Sequence, residues 1–302
     1  MNKFKSNGKL LLTAEYAVLF GAKALALPSV LGQDLVVEKV SDAKTIHWQS
    51  YNKDNSCWLD ETLQVEEITN GILEPENIRE RLIQILHLAH QQNPVFFEEN
   101  FGLNVKTSLE FPKDWGLGTS STLLNNIGNW MKVDPYKILF QVFSGSGYDI
   151  ACAQTNSPIV YQLLDQKPKA TEVAFDPVFK DNLYFVYLNQ KRSSKDAIAR
   201  FLGKQDNTQK LIEDISEITT QIAVCKDIDQ FDALLKKHEQ IIGNFIEETP
   251  VQQKLFPDFQ GQIKSLGAWG GDFIIASAKT DPTQYFTDKG YTTIVRYRDM
   301  IF

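Results

Sequence analysis

Apolar and polar positions change period several times along the chain, and each change marks a predicted element. Residues 10–13, Leu-Leu-Leu-Thr, form an unbroken apolar run of strand length, followed by residues 14–20 and the breaker Gly21. Lys9 therefore stands at a strand edge. Residues 34–40 and 45–49 alternate apolar with polar, the period of two expected of hairpin strands with one wet face. Across residues 76–91 the apolar positions Ile78, Leu82, Ile85, Leu86, Leu88 and Ala89 switch to helical spacing and predict a helix that packs on the sheet. Residues 101–109 read as another strand. Residues 112–118 form a turn-rich loop that feeds a helix predicted over about 120–131.

Asp134-Pro135 has the chemistry of a helix start, with Asp134 as cap and Pro135 in the first position, and predicts a helix to about residue 143. Ser144-Gly145-Ser146-Gly147 stops it. Residues 167–181 turn polar and include Pro168 and Pro177, so a domain boundary is expected between residues 178 and 179. Beyond it come a strand at 183–188, helical patterns at 195–224 and 228–247, and strands at 273–278 and 292–297. Helices and strands mixed in this order predict α+β layers in two domains, 1–178 and 179–302.

Composition narrows the function classes. The chain has 302 residues, 43% of them hydrophobic, enough for one large core or two smaller ones. Its formal net charge of -7 argues against a nucleic-acid binder, which needs clustered Lys and Arg to displace counterions. Cys57, Cys152 and Cys225 are odd in number and widely spaced, which predicts neither a disulfide framework nor a zinc site and suits a reducing cytoplasm. No signal peptide or membrane span is expected. His87 and His90 lie three apart on the predicted helix without an acid-rich flank, the pattern of a surface or half-buried pair rather than of metal ligands.

Three segments carry candidate chemistry. In Gly116-Leu117-Gly118-Thr119-Ser120-Ser121-Thr122 two glycines permit close main-chain approach, the following helix presents free N–H groups, and the hydroxyls add donors and one magnesium ligand. It lacks the Gly-Lys-Ser/Thr ending of a Walker A loop, and an ordinary N-cap after a turn is the alternative. Gly145-Ser146-Gly147-Tyr148-Asp149 delivers one carboxylate, Asp149, which is either a general base or a turn residue. Gly267-Ala268-Trp269-Gly270-Gly271-Asp272 is a second glycine-rich turn, also explained by a tight hairpin. Lys9 is either a cation for an acceptor hydroxyl or phosphate or a solvated surface residue.

These segments, with Gly8-Lys9-Leu10-Leu11-Leu12-Thr13-Ala14-Glu15-Tyr16-Ala17-Val18-Leu19, resemble in order and spacing the signature segments of the GHMP kinases. Within that family the chain is most similar to the mevalonate-pathway kinases, phosphomevalonate kinase and mevalonate kinase. The resemblance implies a ribosomal-S5-like first domain and a ferredoxin-like second one, with ATP and Mg²⁺ as cofactors. It makes Asp149 the catalytic carboxylate, Lys9 its cationic partner and Ser120 the hydroxyl nearest the metal. Gly116, Leu117, Gly118, Thr119, Ser120 and Ser121 would hold the nucleotide phosphates. Glu15, Tyr16, Ser146, Gly147, Arg192, Ser193, Ser194, Gly270 and Gly271 would surround the acceptor.

The sequence departs from the family pattern at several points. Ala14 stands where the pattern has Gly, Trp269 where it has a small residue, and Thr119 and Ser121 vary the Ser-Ser-Ala run. Lys137, Ile138 and Leu139 lie where mevalonate kinase supplies a second acid to magnesium. The implied activity is ATP-dependent phosphorylation of phosphomevalonate or mevalonate. A sugar or homoserine kinase, a phosphorylation-coupled decarboxylase and a nucleotide-binding homologue without catalysis are the alternatives. The expected partner is a small molecule, and a homodimer stays open.

Overall fold

The computed structural model describes residues 1–40, 44–98, 102–190, 208–267, 269 and 271–302. The chain forms two compact units that interleave along the sequence. The first comprises residues 1–8, 31–113 and 117–154, and the second residues 9–30, 114–116 and 155–302. The boundary expected between residues 178 and 179 falls inside the second unit. Strands β1 (Asn2–Leu11) and β2 (Ala24–Val40) each run from one unit into the other. The strand expected at 10–13 overlaps only the end of a longer one, whose first residues are exposed, and Leu12 and Thr13 lie beyond it.

The first unit continues with β3 (Thr45–Tyr51), β4 (Cys57–Gln64), α1 (Val65–Asn70), α2 (Ile78–Gln92) and β5 (Gly102–Leu109). Its strands lie in the order β4-β3-β5-β2. The alternating segments at 34–40 and 45–49 are strands as expected, but they do not form a hairpin with each other. β5 lies between them, antiparallel to β2 with Leu35 opposite Thr107, and parallel to β3 with Trp48 opposite Val105. The partner of β3 in a hairpin is β4. The reason is burial: β5 buries Leu103, Val105, Thr107 and Leu109 and takes the inner place, whereas β4 is largely exposed and suits an edge.

Helix α2 buries Leu82, Ile83, Ile85, Leu86 and Ala89, the face that its spacing predicts, and the Asn77 side chain accepts from Glu80 N–H to cap it. Helices α3 (Thr119–Met131), α4 (Pro135–Val142) and α5 (Tyr148–Ala153) follow. Asp134 caps α4 by accepting from Tyr136 N–H at 2.9 Å, with Pro135 in the first helical position, as expected. The core packs Trp48 and Trp130 beneath α2, with Phe96 edge-on to Trp130 at 5.3 Å.

In the second unit, β6 (Ile159–Leu164) and β7 (Lys167–Glu172) form a hairpin whose turn residues Asp165 and Gln166 both have positive φ. Part of the polar stretch expected to hold the domain boundary is therefore a strand. It is an exposed edge strand, where Pro168 is tolerated and polar residues are the rule. Then come β8 (Leu183–Tyr187), α6 (Thr208–Ala223), α7 (Ile228–Ile246), α8 (Val251–Leu255), β9 (Gln262–Ser265), β10 (Phe273–Ser277), α9 (Thr283–Asp288), β11 (Ile294–Arg296) and α10 (Tyr297–Met300). Strands β11-β8-β10-β9 make an antiparallel sheet in which β8 and β10 are buried throughout. Strands β9 and β10 pair antiparallel, and the glycine-rich stretch 267–272, of which 268 and 270 lie outside the described residues, falls between them in the chain. Among the described residues no helix is long and apolar enough to cross a membrane, and the three cysteines are unbonded thiols.

Candidate active site

Helix α3 starts in an unusual way. Its N-cap position is Gly118, with φ of 95°, so no side chain is available to close the first turn. The first helical bond runs from Thr122 N–H to the Gly118 carbonyl at 2.9 Å, which leaves the N–H groups of Thr119, Ser120 and Ser121 ahead of the ladder. Ser121 Oγ folds back onto the Gly118 carbonyl at 2.9 Å, and Thr122 Oγ1 donates to Gln33 Oε1 at 2.7 Å. Ser120 is exposed, and among the described residues its hydroxyl makes no hydrogen bond. Leu117 is fully buried and anchors the loop. Gly8 lets β1 pass close to it: a Cβ there would lie 2.8 Å from the Leu31 carbonyl oxygen and 3.0 Å from that of Leu117. Lys9 is the next residue along β1 and is half-buried.

Helix α5 repeats the device. It begins at Gly147, with φ of 86° and no capping side chain, and carries half-buried Asp149 in its first turn. Asp149 Oδ1 accepts from Ile150 N–H at 3.1 Å. The Tyr136 ring of α4 lies against Gly147, where a Cβ would come within 2.9 Å of it. Burial raises the pKa of the Tyr136 hydroxyl above that of an ordinary tyrosine, and the Asp149 carboxylate adds to the shift. Ser146 is buried in the turn ahead of Gly147.

A neutral polar network holds α5 against α3. Asn125 Nδ2 donates to Ser6 Oγ at 2.9 Å and to the Ala153 carbonyl at 3.3 Å, and Gln154 Nε2 donates to Asn125 Oδ1 at 3.0 Å. Ser6 Oγ donates to Asn126 Oδ1 at 2.8 Å, and Asn126 Nδ2 to the Gln33 carbonyl at 2.8 Å. Ser6, Gln33, Asn125 and Asn126 are buried, whereas Gln154 is exposed, so the bonds among the buried groups also remove the penalty of orphaned polar atoms. The first unit thereby sets an uncapped helix mouth beside the helix that carries one acid.

In the second unit, Glu15 and Tyr16 are almost fully buried, at 1% and 7% exposure. The Glu15 carboxylate is paired with Lys264, which is itself wholly buried, and lies 3.5 Å from His238 Nε2. Burial pushes the Glu15 carboxyl upward and the Lys264 charge opposes it. His238 is held neutral, well below the ordinary histidine range, by burial and by Lys264. Glu239 is pushed up to about 8, chiefly by burial. The resemblance does not reach Lys264, His238 and Glu239, nor does it name the Ser6, Gln33, Asn125 and Asn126 network. One signal was available: His238 and Glu239 sit among the buried positions Phe231, Leu234, Leu235 and Ile242 of α7, where helical period calls for apolar residues.

Trp269 is buried in this unit. Gly271 is buried as well, whereas Gly270, Arg192, Ser193 and Ser194 lie outside the described residues. Against Gly116, with φ of 67°, stands the Asp272 carboxylate, whose Oδ2 would be 2.5 Å from a Cβ at that glycine. At the place of the second metal-binding acid, Ile138 and Leu139 are core residues of α4. His87 is committed locally, with Nδ1 2.8 Å from the Ile68 carbonyl and Nε2 2.8 Å from Gln91 Nε2. Among the described residues no group of three or more His, Cys, Asp or Glu is placed to hold a metal ion.

No family model matches the sequence, and no curated protein matches it. Solved structures do match, nearly end to end. The mevalonate kinase of Methanococcus jannaschii superposes with a TM-score of 0.73 at 16% identity, covering 95% of this chain and 94% of that one. Streptococcus pneumoniae phosphomevalonate kinase, solved in complex with phosphomevalonate and AMPPNP, gives 0.69 at 16% identity and covers 99% and 97%. The chain has the GHMP kinase fold. The galactokinase of Lactococcus lactis, complexed with galactose, shares it at 14% identity and a TM-score of 0.68, over 95% of this chain and 87% of that one.

Proposed function

We propose that this chain is an ATP-dependent small-molecule kinase whose acceptor is phosphomevalonate or mevalonate, as in isoprenoid precursor synthesis. The observation that carries the reading is the uncapped start of α3 beside the Asp149 helix. Free N–H groups and the positive end of the helix dipole suit a polyphosphate, and glycine at 116 and 118 allows the phosphates to reach the main chain. In this reading the phosphates lie along residues 116–121. Asp149 orients the acceptor hydroxyl or phosphate and takes up its proton, and Lys9 steadies its charge.

The Ser120 hydroxyl fits a magnesium ligand because, unlike those of Ser121 and Thr122, it makes no hydrogen bond among the described residues. The metal would supply charge neutralisation on the phosphate oxygens. Residues 1–178 form the nucleotide-binding domain in this assignment and residues 179–302 the second domain. The shared fold supports kinase chemistry in general, and the Gly145-Ser146-Gly147-Tyr148-Asp149 turn favours the mevalonate-pathway acceptors.

The test is ADP release from ATP and magnesium, with mevalonate, phosphomevalonate, galactose, homoserine and a sugar phosphate offered one at a time. Release with one of the first two is expected. Release with galactose or homoserine alone would move the acceptor to the sugar or homoserine class. Nucleotide binding without ADP release in any arm would reject the kinase reading.

A further inference from the structure

Residues 14–16 form a turn whose conformation its own residues disfavour. Ala14 and Tyr16 both lie in the left-handed region, at φ of 69° and 61°, where a Cβ is strained. Each of the three residues is held by a separate partner from far along the chain, all within the second unit. Ala14 N–H donates to His238 Nε2 at 2.8 Å. The Glu15 carboxylate pairs with Lys264. Tyr16 Oη accepts from Trp269 N–H at 3.2 Å.

Those partners are themselves fixed. Lys264 Nζ also donates to the Ser265 carbonyl at 2.8 Å, Ser265 N–H donates to Glu239 Oε1 at 3.0 Å, and Lys264 lies opposite Ile275 in the β9–β10 ladder. The Trp269 indole packs on α7 at Gly243, where a Cβ would come within 3.1 Å of the ring. A helix-interior glycine costs stability, and here it admits the indole. His238 must keep its Nε2 lone pair to accept from Ala14, which agrees with a neutral ring near the Glu15 carboxylate and the Lys264 ammonium.

A ligand that used the Glu15 carboxylate would have to break a fully buried ion pair, at a severe penalty for the ammonium left behind. A ligand that donated to the Tyr16 hydroxyl would compete with Trp269, and at 7% exposure the residue offers a ligand little surface. We infer that Glu15 and Tyr16 are positioning residues rather than acceptor contacts: they lock the strained turn 14–16 to β9 and Trp269, so that the turn behind Lys9 and the start of the glycine-rich connection hold one geometry. This also gives Trp269, a departure from the GHMP pattern, a role as an anchor. The link to catalysis rests on the kinase reading above, whereas the link between the two turns does not.

The test is amide hydrogen exchange on the full-length chain, paired with kinetics. Tyr16→Phe removes one hydroxyl and little else. It is expected to speed exchange at Trp269 by about threefold to tenfold, the value of one lost hydrogen bond. Lys264→Met should speed exchange across residues 14–16, and adding Glu15→Gln should recover part of the melting temperature lost, because the unpaired buried carboxylate is gone. Unchanged exchange at Trp269 in Tyr16→Phe, or changes in Lys264→Met confined to β9, would overturn the inference. In the kinetic arm Tyr16→Phe should lower kcat while the acceptor KM stays within about twofold. A raised KM at unchanged kcat would make Tyr16 a direct ligand contact and overturn its reassignment. If no acceptor supports ADP release, the kinase reading fails while the exchange result still decides whether the turns are coupled.

Discussion

Among the described residues, helix starts with a capping side chain contrast with starts behind a left-handed glycine. Helices α2, α4 and α7 begin behind Asn77, Asp134 and Asp227, whose side chains accept from the N–H groups of the first turn. Helices α3 and α5 begin behind Gly118 and Gly147, both left-handed and without a side chain to offer. Capped starts satisfy their own donors and serve the fold, whereas an uncapped start leaves donors for something else to satisfy. Both glycine starts fall in the segments that resemble kinase motifs, and the Ser6, Gln33, Asn125 and Asn126 network is built around them.

The contrast is best broken at Asp149. Asp149→Asn should lower turnover by about two to four orders of magnitude with nucleotide affinity within about twofold, measured by ADP release and calorimetry. An Asn variant at full rate would leave α5 as scaffold. Next in size is Gly118→Asp, which writes a capping carboxylate into the mouth of α3. It should weaken nucleotide binding by about tenfold or more through like-charge repulsion, with Gly118→Ala alongside to isolate the cost of a Cβ at φ of 95°. Equal loss in both variants would point to backbone strain and not to charge at the helix mouth.

A third measurement uses the buried Glu239 carboxyl, which accepts from Ser265 N–H. Glu239 has its folded pKa raised to about 8 from an ordinary value of 4.5, so the folded state holds a proton that the unfolded state has released between those values. Stability is therefore expected to be fullest below about pH 4.5 for this group. It should fall as pH rises towards 8, by up to about 1.4 kcal/mol per pH unit. Lys264 and Glu15 face the same carboxyl and oppose or add to the shift. Glu239→Gln should flatten this part of the melting temperature profile, and an unchanged slope would place the titration elsewhere. The smallest effects belong to the ordinary caps. Asp134→Ala and Asp227→Ala should each lose about 1 kcal/mol in urea unfolding and leave nucleotide affinity unchanged.

Legibility of the sequence followed the range of the interaction. The boundaries of α2 and α4, the Asp134 cap, the glycines of the α3 and α5 starts and the buried strand β8 all come from residues within a turn or two of one another. The pairing of β5 between β2 and β3 was not legible, since alternation marks a strand without naming its neighbour. The β6–β7 hairpin was hidden because an exposed edge strand has the composition of a linker. In the candidate site, the helix mouth and Asp149 were readable as motifs. The amide network behind them was not, because Ser, Asn and Gln in a helix or strand look solvated until their partners are known.

By itself the sequence determined the local machinery: periods, caps, breakers and the left-handed glycines that begin α3 and α5 without a capping side chain, because each depends on steric and hydrogen-bonding preferences of neighbouring residues. Only the tertiary structure decided that Glu15 is an interior ion and that Trp269 anchors a turn. The Glu15 carboxylate meets the Lys264 ammonium across 249 positions of chain. A buried charge is tolerated only with its counter-charge in place, and no local pattern in the sequence says which distant residue will supply it.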